Sequence, residues 1–165
     1  MNLQQLIVKL ERTEQFKIFK KQNPNSFLCV AFIILRIKDG IVENEYSLDY
    51  RTEEKIYAFK IPTIGEIVMQ PEDIIEGTKP LEEINTKILT DIENLRDIVE
   101  KALVKNSIKN KLEEIISVLQ NIDGKTIWNL TCMCEGLTII NIHVDAVSGD
   151  MTKFEKRNLL DFVKK

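Results

Sequence analysis

The first 22 residues carry apolar side chains at helical spacing. Leu3, Leu6, Ile7, Leu10, Phe16 and Phe19 form one stripe with charges between them. This predicts an amphipathic helix over 2–22, broken by Pro24 and Asn25. The period then changes. "SFLCVAFIILRI" (26–37) is apolar on both faces and rich in β-branched and aromatic residues, the pattern of a strand covered on both sides. Asp39-Gly40 reads as a hairpin turn. After it "ENEYSLDYRT" alternates, with Tyr46, Leu48 and Tyr50 on one face, and "KIYAFKI" (55–61) alternates again. Pro62 ends that third strand or puts it at an edge.

Residues 64–80 hold two of the four prolines and read as a linker with one short helical turn at 71–76. "PLEEINTKILTDIENLRDIVEKALVK" (80–105) predicts a long helix striped by Ile84, Ile88, Ile92, Leu95, Val99 and Leu103, with Pro80 at or before its start. "LEEIISVLQNI" (112–122) fits either a continued helix or a strand, the strand being favoured by Ile115, Ile116 and Val118. A second Asp-Gly pair, Asp123-Gly124, precedes "TIWNLTCMC" and "LTIINIHVDA". The closing "KFEKRNLLDFVKK" (153–165) reads as a short helix or an edge segment.

Both halves thus run helix, strand, Asp-Gly turn, strand, turn, strand. With the two Asp-Gly pairs aligned, "FIILRIKDG" faces "ISVLQNIDG", and "EYSLDY" faces "IWNLTC" with a two-residue offset. "KIPTIGEI" then lies opposite "HVDAVSGDM" with one extra residue. The expected fold class is α+β: two αβββ units, 1–63 and 81–165, separated by the 64–80 linker, each an antiparallel meander packed on helices. They join into one six-stranded sheet or face each other as lobes, and together can make one compact domain.

"IISVLQNIDGKTIWNLTCMCEGLTIINIHVDAVSGDM" resembles the PepSY domain. That family has a helix and a three-stranded meander, a first hairpin turning on Asp-Gly, an aromatic residue in the second strand and an ending close to "VDAxTGxv". Here those places are held by Trp128 and by Val144-Asp145-Ala146-Val147-Ser148-Gly149-Asp150, with Ser148 where threonine is usual. The likeness covers 84–151, and reaches the first half only through the repeat, as a degenerate second copy in a tandem, cystatin-like arrangement; "IPTIGEI" has lost the Val-Asp-Ala. The resemblance implies an inhibitory, regulatory or interaction module with no catalytic residues to carry over.

Composition adds bounds. In 165 residues, 44% hydrophobic and 30% charged, with net charge −3, both signs are mixed along the chain. Such a chain buries enough surface to fold without a metal or disulfide and has no clustered positive charge for nucleic acid or an anionic membrane. Lys17, Lys20 and Lys21 read as the solvated face of a helix. The start has no basic region followed by an apolar core, and the longest apolar run, Phe27–Leu35, is far short of a bilayer span, so a cytoplasmic protein is expected. Cys29, Cys132 and Cys134 read as reduced, buried thiols.

Little points to catalysis. His143 shares a strand face with Asn141 and Asp145, a pairing that could tune a base, but no nucleophile is tied to it and a structural histidine is the plainer reading. Asp145, Ser148 and Gly149 read as a structural turn, the carboxylate bonding amides ahead of it and the glycine supplying positive φ. Cys132-x-Cys134 lacks zinc-knuckle spacing. No phosphate loop or nucleophile elbow occurs. No enzyme activity, cofactor or metal is expected. Tyr46, Tyr50 and Trp128 read as core; were the concave side of the sheet left open, they and His143 would line a groove for a ligand or partner. The expected role is protein or peptide binding through a sheet face or strand edge, with a homodimer as one way to cover "FLCVAFIIL". The alternative is a small apolar ligand held between sheet and helix.

Overall fold

The structure is a computed structural model, and it describes residues 1–160. Two helices, α1 (Leu3–Glu11) and α2 (Glu14–Gln22), precede four strands: β1 (Phe27–Lys38), β2 (Ile41–Arg51), β3 (Lys55–Ile61) and β4 (Val68–Asp73). A 3-10 turn (Ile92–Asn94) leads into α3 (Leu95–Lys105), followed by β5 (Leu112–Ile122), β6 (Lys125–Cys134), β7 (Thr138–Asp145) and β8 (Met151–Asn158). All eight strands form one antiparallel sheet, in the order β4-β3-β2-β1-β5-β6-β7-β8. The α+β expectation therefore holds, with eight strands in place of six. β1 and β5 lie at the centre, pairing from Val30–Gln120 to Arg36–Glu114.

Three expected elements are corrected. The helix over 2–22 is two helices, because Thr13 interrupts it: its hydroxyl donates to the Leu10 carbonyl (2.7 Å) and accepts from the Phe16 amide (3.3 Å), capping α2. Within the expected linker, Val68–Asp73 is an edge strand on β3, where Pro71 is tolerated, and there is no helical turn at 71–76. The long helix over 80–105 begins only at the 3-10 turn. Upstream, the backbone is taken by the end of the sheet. The Ile84 amide donates to the Leu28 carbonyl (3.1 Å), and those of Leu89 and Thr90 to the Ala146 carbonyl (2.8 and 3.0 Å). The Asn85 amide donates to the Thr126 hydroxyl (2.8 Å). The apolar stripe still serves the core, since Ile84, Leu95, Val99 and Leu103 are all buried. The ambiguous 112–122 is a strand. Of the closing segment, Met151–Asn158 is the second edge strand, and 161–165 lie outside the described residues.

Asp91 ties the two helical regions together. One carboxylate oxygen accepts the amides of Ile92 (2.7 Å) and of Leu3, the first residue of α1 (2.8 Å). Two helical starts thus share one anion, which suits the positive ends of both.

Register relates the halves quantitatively. Asp39 and Asp123 both have φ of 52°, and the glycines after them have φ of 75° and 83°, the left-handed pair that a tight two-residue hairpin needs. The pairs stand 84 positions apart. So do the two bulges, between Leu28 and Val30 in β1 and between Leu112 and Glu114 in β5. Ile33 and Ser117 are also 84 apart, and they are directly opposite each other in the central ladder. The same spacing matches Tyr46 with Leu130 and Leu48 with Cys132, so the two-residue offset expected in the second strands is absent and Trp128 stands opposite Asn44 in the alignment.

At both Asp-Gly turns a Cβ on the glycine would meet nothing within 4 Å, so substitution acts through backbone strain alone. Gly40→Ala and Gly124→Ala should each lower stability by about 1 kcal/mol, and by similar amounts in chemical denaturation.

Candidate functional site

Strand alternation sorts the side chains onto two unlike faces. On one, Ala31, Ile33, Leu48, Phe59, Ile115, Leu119, Trp128, Leu130 and Ile142 join every buried helix residue in a single core. Phe16, Phe19, Tyr50 and Phe59 pack there edge to face, with centroids 5.0–6.2 Å apart. The other face bears no helix among the described residues. Its centre is apolar: Val30, Phe32 and Ile34 from β1 beside Ile116 and Val118 from β5, all half-buried and none part of that core.

Polar side chains flank this stripe in rows set by the register. One row reads Lys60, Ser47, Phe32, Val118, Asn129, His143, Lys153; the next reads Glu45, Ile34, Ile116, Thr131, Asn141, Glu155. At one end Arg36 bridges Glu45 (2.6 Å) and Glu114 (3.4 Å). Toward the other end Asp49 lies between Val30 and Ala58. Burial pushes its carboxyl up to about 6, against the Ser47 hydroxyl bonded to it (3.1 Å), and Glu72 raises it further. Sequence reading passed over Asp49, although the alternation of "YSLDY" puts it opposite in facing to the tyrosines.

The expected contact residues do not converge. Trp128 is fully buried in the helix-side core, where its indole N–H donates to the Thr90 carbonyl (2.8 Å). Tyr50 is buried among the aromatics of α2, and burial pushes its hydroxyl well above the ordinary range. Both take the core position first expected of them, and neither is available as a groove contact. His143 is on the opposite face, half-buried between Asn129 and Lys153, its pKa lowered by burial and by Lys153. Asp145 is turned away from it to accept the amides of Val147 (2.9 Å) and Ser148 (3.1 Å); the Ser148 amide is the chief reason its pKa is low. Ser148 and Gly149 complete that turn, Gly149 with φ of 83° and its amide on the Asp145 carbonyl (2.8 Å). Cys29 and Cys132 are buried, and burial pushes both thiols up to about 12, so neither is a nucleophile at neutral pH.

Tyr46 has a different setting. With Ile33, Leu35, Ile115 and Ser117 it lines a cavity of about 260 Å³ on the helix side, roofed by Ile92, Leu95 and Arg96. This cavity sits over the central Ile33–Ser117 pair.

No family model matches the chain, and no curated protein matches it. Among solved structures, the crystal structure of a "putative lipoprotein" from Clostridium difficile 630 is similar, with a TM-score of 0.54 at 18% identity over 87% of this chain and 91% of that one. At that identity the likeness is one of fold. No helix among the described residues is long and apolar enough to cross a membrane.

Two measurements test these assignments. Trp128→Phe leaves the Thr90 carbonyl without its donor inside the core and should cost about 1–3 kcal/mol in urea unfolding. Asp49 holds its proton more tightly folded than unfolded, so stability falls as pH rises from about 4 to about 6 and is level above. Asp49→Asn should flatten that slope and raise stability at pH 7 by on the order of 3 kcal/mol, with the two proteins converging below about pH 4.

Proposed function

We propose that this chain is a non-catalytic binding module that holds a protein partner on its open sheet face. The carrying observation is the half-buried apolar stripe of Val30, Phe32, Ile34, Ile116 and Val118 on a face with no helix among the described residues, ringed by serine, threonine, asparagine and charged groups. An apolar centre within a polar rim is the anatomy of a protein-binding surface. The buried thiols and the Asp145 carboxylate held in its own turn also favour a non-catalytic reading.

We read the chain further as a tandem pair of PepSY-like units, each contributing four strands to the sheet. In support stand the common spacing of 84 between turns, bulges and the paired Ile33 and Ser117, together with the Val-Asp-Ala-Val-Ser-Gly turn after β7. The compartment belongs to the same reading. We assign the protein to the cytosol on its three free cysteines, and cell fractionation decides between that and the lipoprotein description of the solved neighbour.

The cavity beside Tyr46 supports a second reading, a small apolar ligand. At about 260 Å³ it is below the roughly 300–1,000 Å³ usual for ligand pockets, so the sheet face is preferred. Native mass spectrometry of purified protein would show a retained small molecule if the cavity is the site.

In protein dilute enough to leave the face uncovered, an apolar dye reports on it directly. Phe32→Glu places a charge in the stripe and leaves the helix-side core intact, so dye fluorescence should fall several-fold with melting little changed. Equal dye binding by the two proteins would count against this face as the site.

A further inference from the structure

We infer that the partner taken by the open face is a second copy of this chain, packed sheet to sheet about a two-fold axis parallel to the strands. The inference rests on the preceding reading of that face as a binding surface and names its occupant.

Area is the first argument. A compact monomer of 19.1 kDa exposes roughly 8,400 Å², and this chain exposes 10364 Å². The face itself is large enough to account for a little under half of the difference. Eight strands at about 4.8 Å spacing and eight residues at about 3.3 Å rise span roughly 35 by 25 Å, on the order of 900 Å². A standard stable interface takes about 800 Å² from each partner. One sheet laid on another, about 10 Å apart, therefore supplies the missing layer in a single contact.

Self-complementarity is the second argument. An axis parallel to the strands and running over the stripe lays β1 and β5 of one copy on β5 and β1 of the other, so apolar meets apolar. The same operation sets the β2–β4 flank of one copy against the β6–β8 flank of the other. The first flank carries Glu43, Glu45, Asp49 and Glu72 with Arg51 and Lys60, a net of −2 with Asp49 ionised. The second carries Lys125, Lys153 and Arg157 with Asp145 and Glu155, a net of +1 with His143 neutral. The flanks thus differ in sign, and a two-fold contact uses that difference twice. An unrelated apolar peptide would match the stripe and leave the flanks unmatched.

The test is mass by light scattering on size-exclusion, across a concentration series, for the wild type and three variants. Phe32→Glu charges the stripe, Thr131→Lys changes only a half-buried polar position at its rim, and Ile18→Glu alters the exposed side of α2. The wild type and Ile18→Glu should run at the mass of two chains. Phe32→Glu should run at half that mass with unchanged circular dichroism, and Thr131→Lys should need at least tenfold more protein to dimerise. A wild type at the mass of one chain throughout overturns the inference, as does a dimer indifferent to both face variants. A monomer whose dye binding is still lost on Phe32→Glu would sink the second-copy occupant and spare the binding face; a monomer whose dye binding does not change would sink both.

Discussion

The structure hangs on one antiparallel ladder, the pairing of β1 with β5. Each half of the chain makes its own four-stranded meander, and those meanders are one sheet only because Val30–Gln120 through Arg36–Glu114 are hydrogen-bonded across the middle. The helix layer follows from this. Buried residues from α1, α2 and α3 enter a common core because the strands beneath them are continuous. The Asp91 carboxylate, which accepts amides at the starts of α1 and of the 3-10 turn, reaches both only when the central ladder has fixed the distance between halves. Even the cavity beside Tyr46 is a product of this seam, lying where neither half's helices fully cover the axis.

The hydrophobic pattern made much of this readable. Strand periods, both Asp-Gly turns and the apolar stripes were legible because each reflects a local rule: period two, left-handed turn geometry, or burial of one side of an element. The stretch 84–91 shows where local rules stop. Its apolar spacing suits a helix, yet its amides are claimed by Leu28, Thr126 and Ala146, residues on strands far away in sequence, and no local pattern encodes that competition. The same applies to Val68–Asp73, whose strand state is induced by the edge of β3. Thr13, by contrast, was a readable helix start hidden inside an otherwise unbroken stripe.

Of the candidate site, the sequence displayed the stripe and concealed its address. "FLCVAFIIL" announced a strand apolar on both sides, but which face the helices take depends on the whole sheet. Tyr50 and Trp128 went to the helix side and became core, whereas Phe32 and Val118 were left on the open side. The sheet's outer edges are protected differently. β4 carries Pro71 and acidic residues, and β8 carries Lys153, Glu155, Lys156 and Arg157 with ion pairs from Glu155 to Lys153 (3.4 Å) and Arg157 (2.8 Å). Both devices discourage further strand pairing, which leaves the broad face as the surface open to association.

The central position of β1 has a consequence during synthesis. Its free edge is satisfied by β5, and the ladder joins residues about 80–90 positions apart, as with Val30 and Gln120. On a ribosome the first meander emerges whole while the strand that must close its most apolar edge is still untranslated. At about 5–20 residues per second, that edge stands bare for several seconds beside its neighbours on the same message. Because β5 of any copy offers the same ladder, a crowded polysome can join the first half of one chain to the second half of another. The seam that unifies the fold is thus also the point at which two nascent chains can exchange halves.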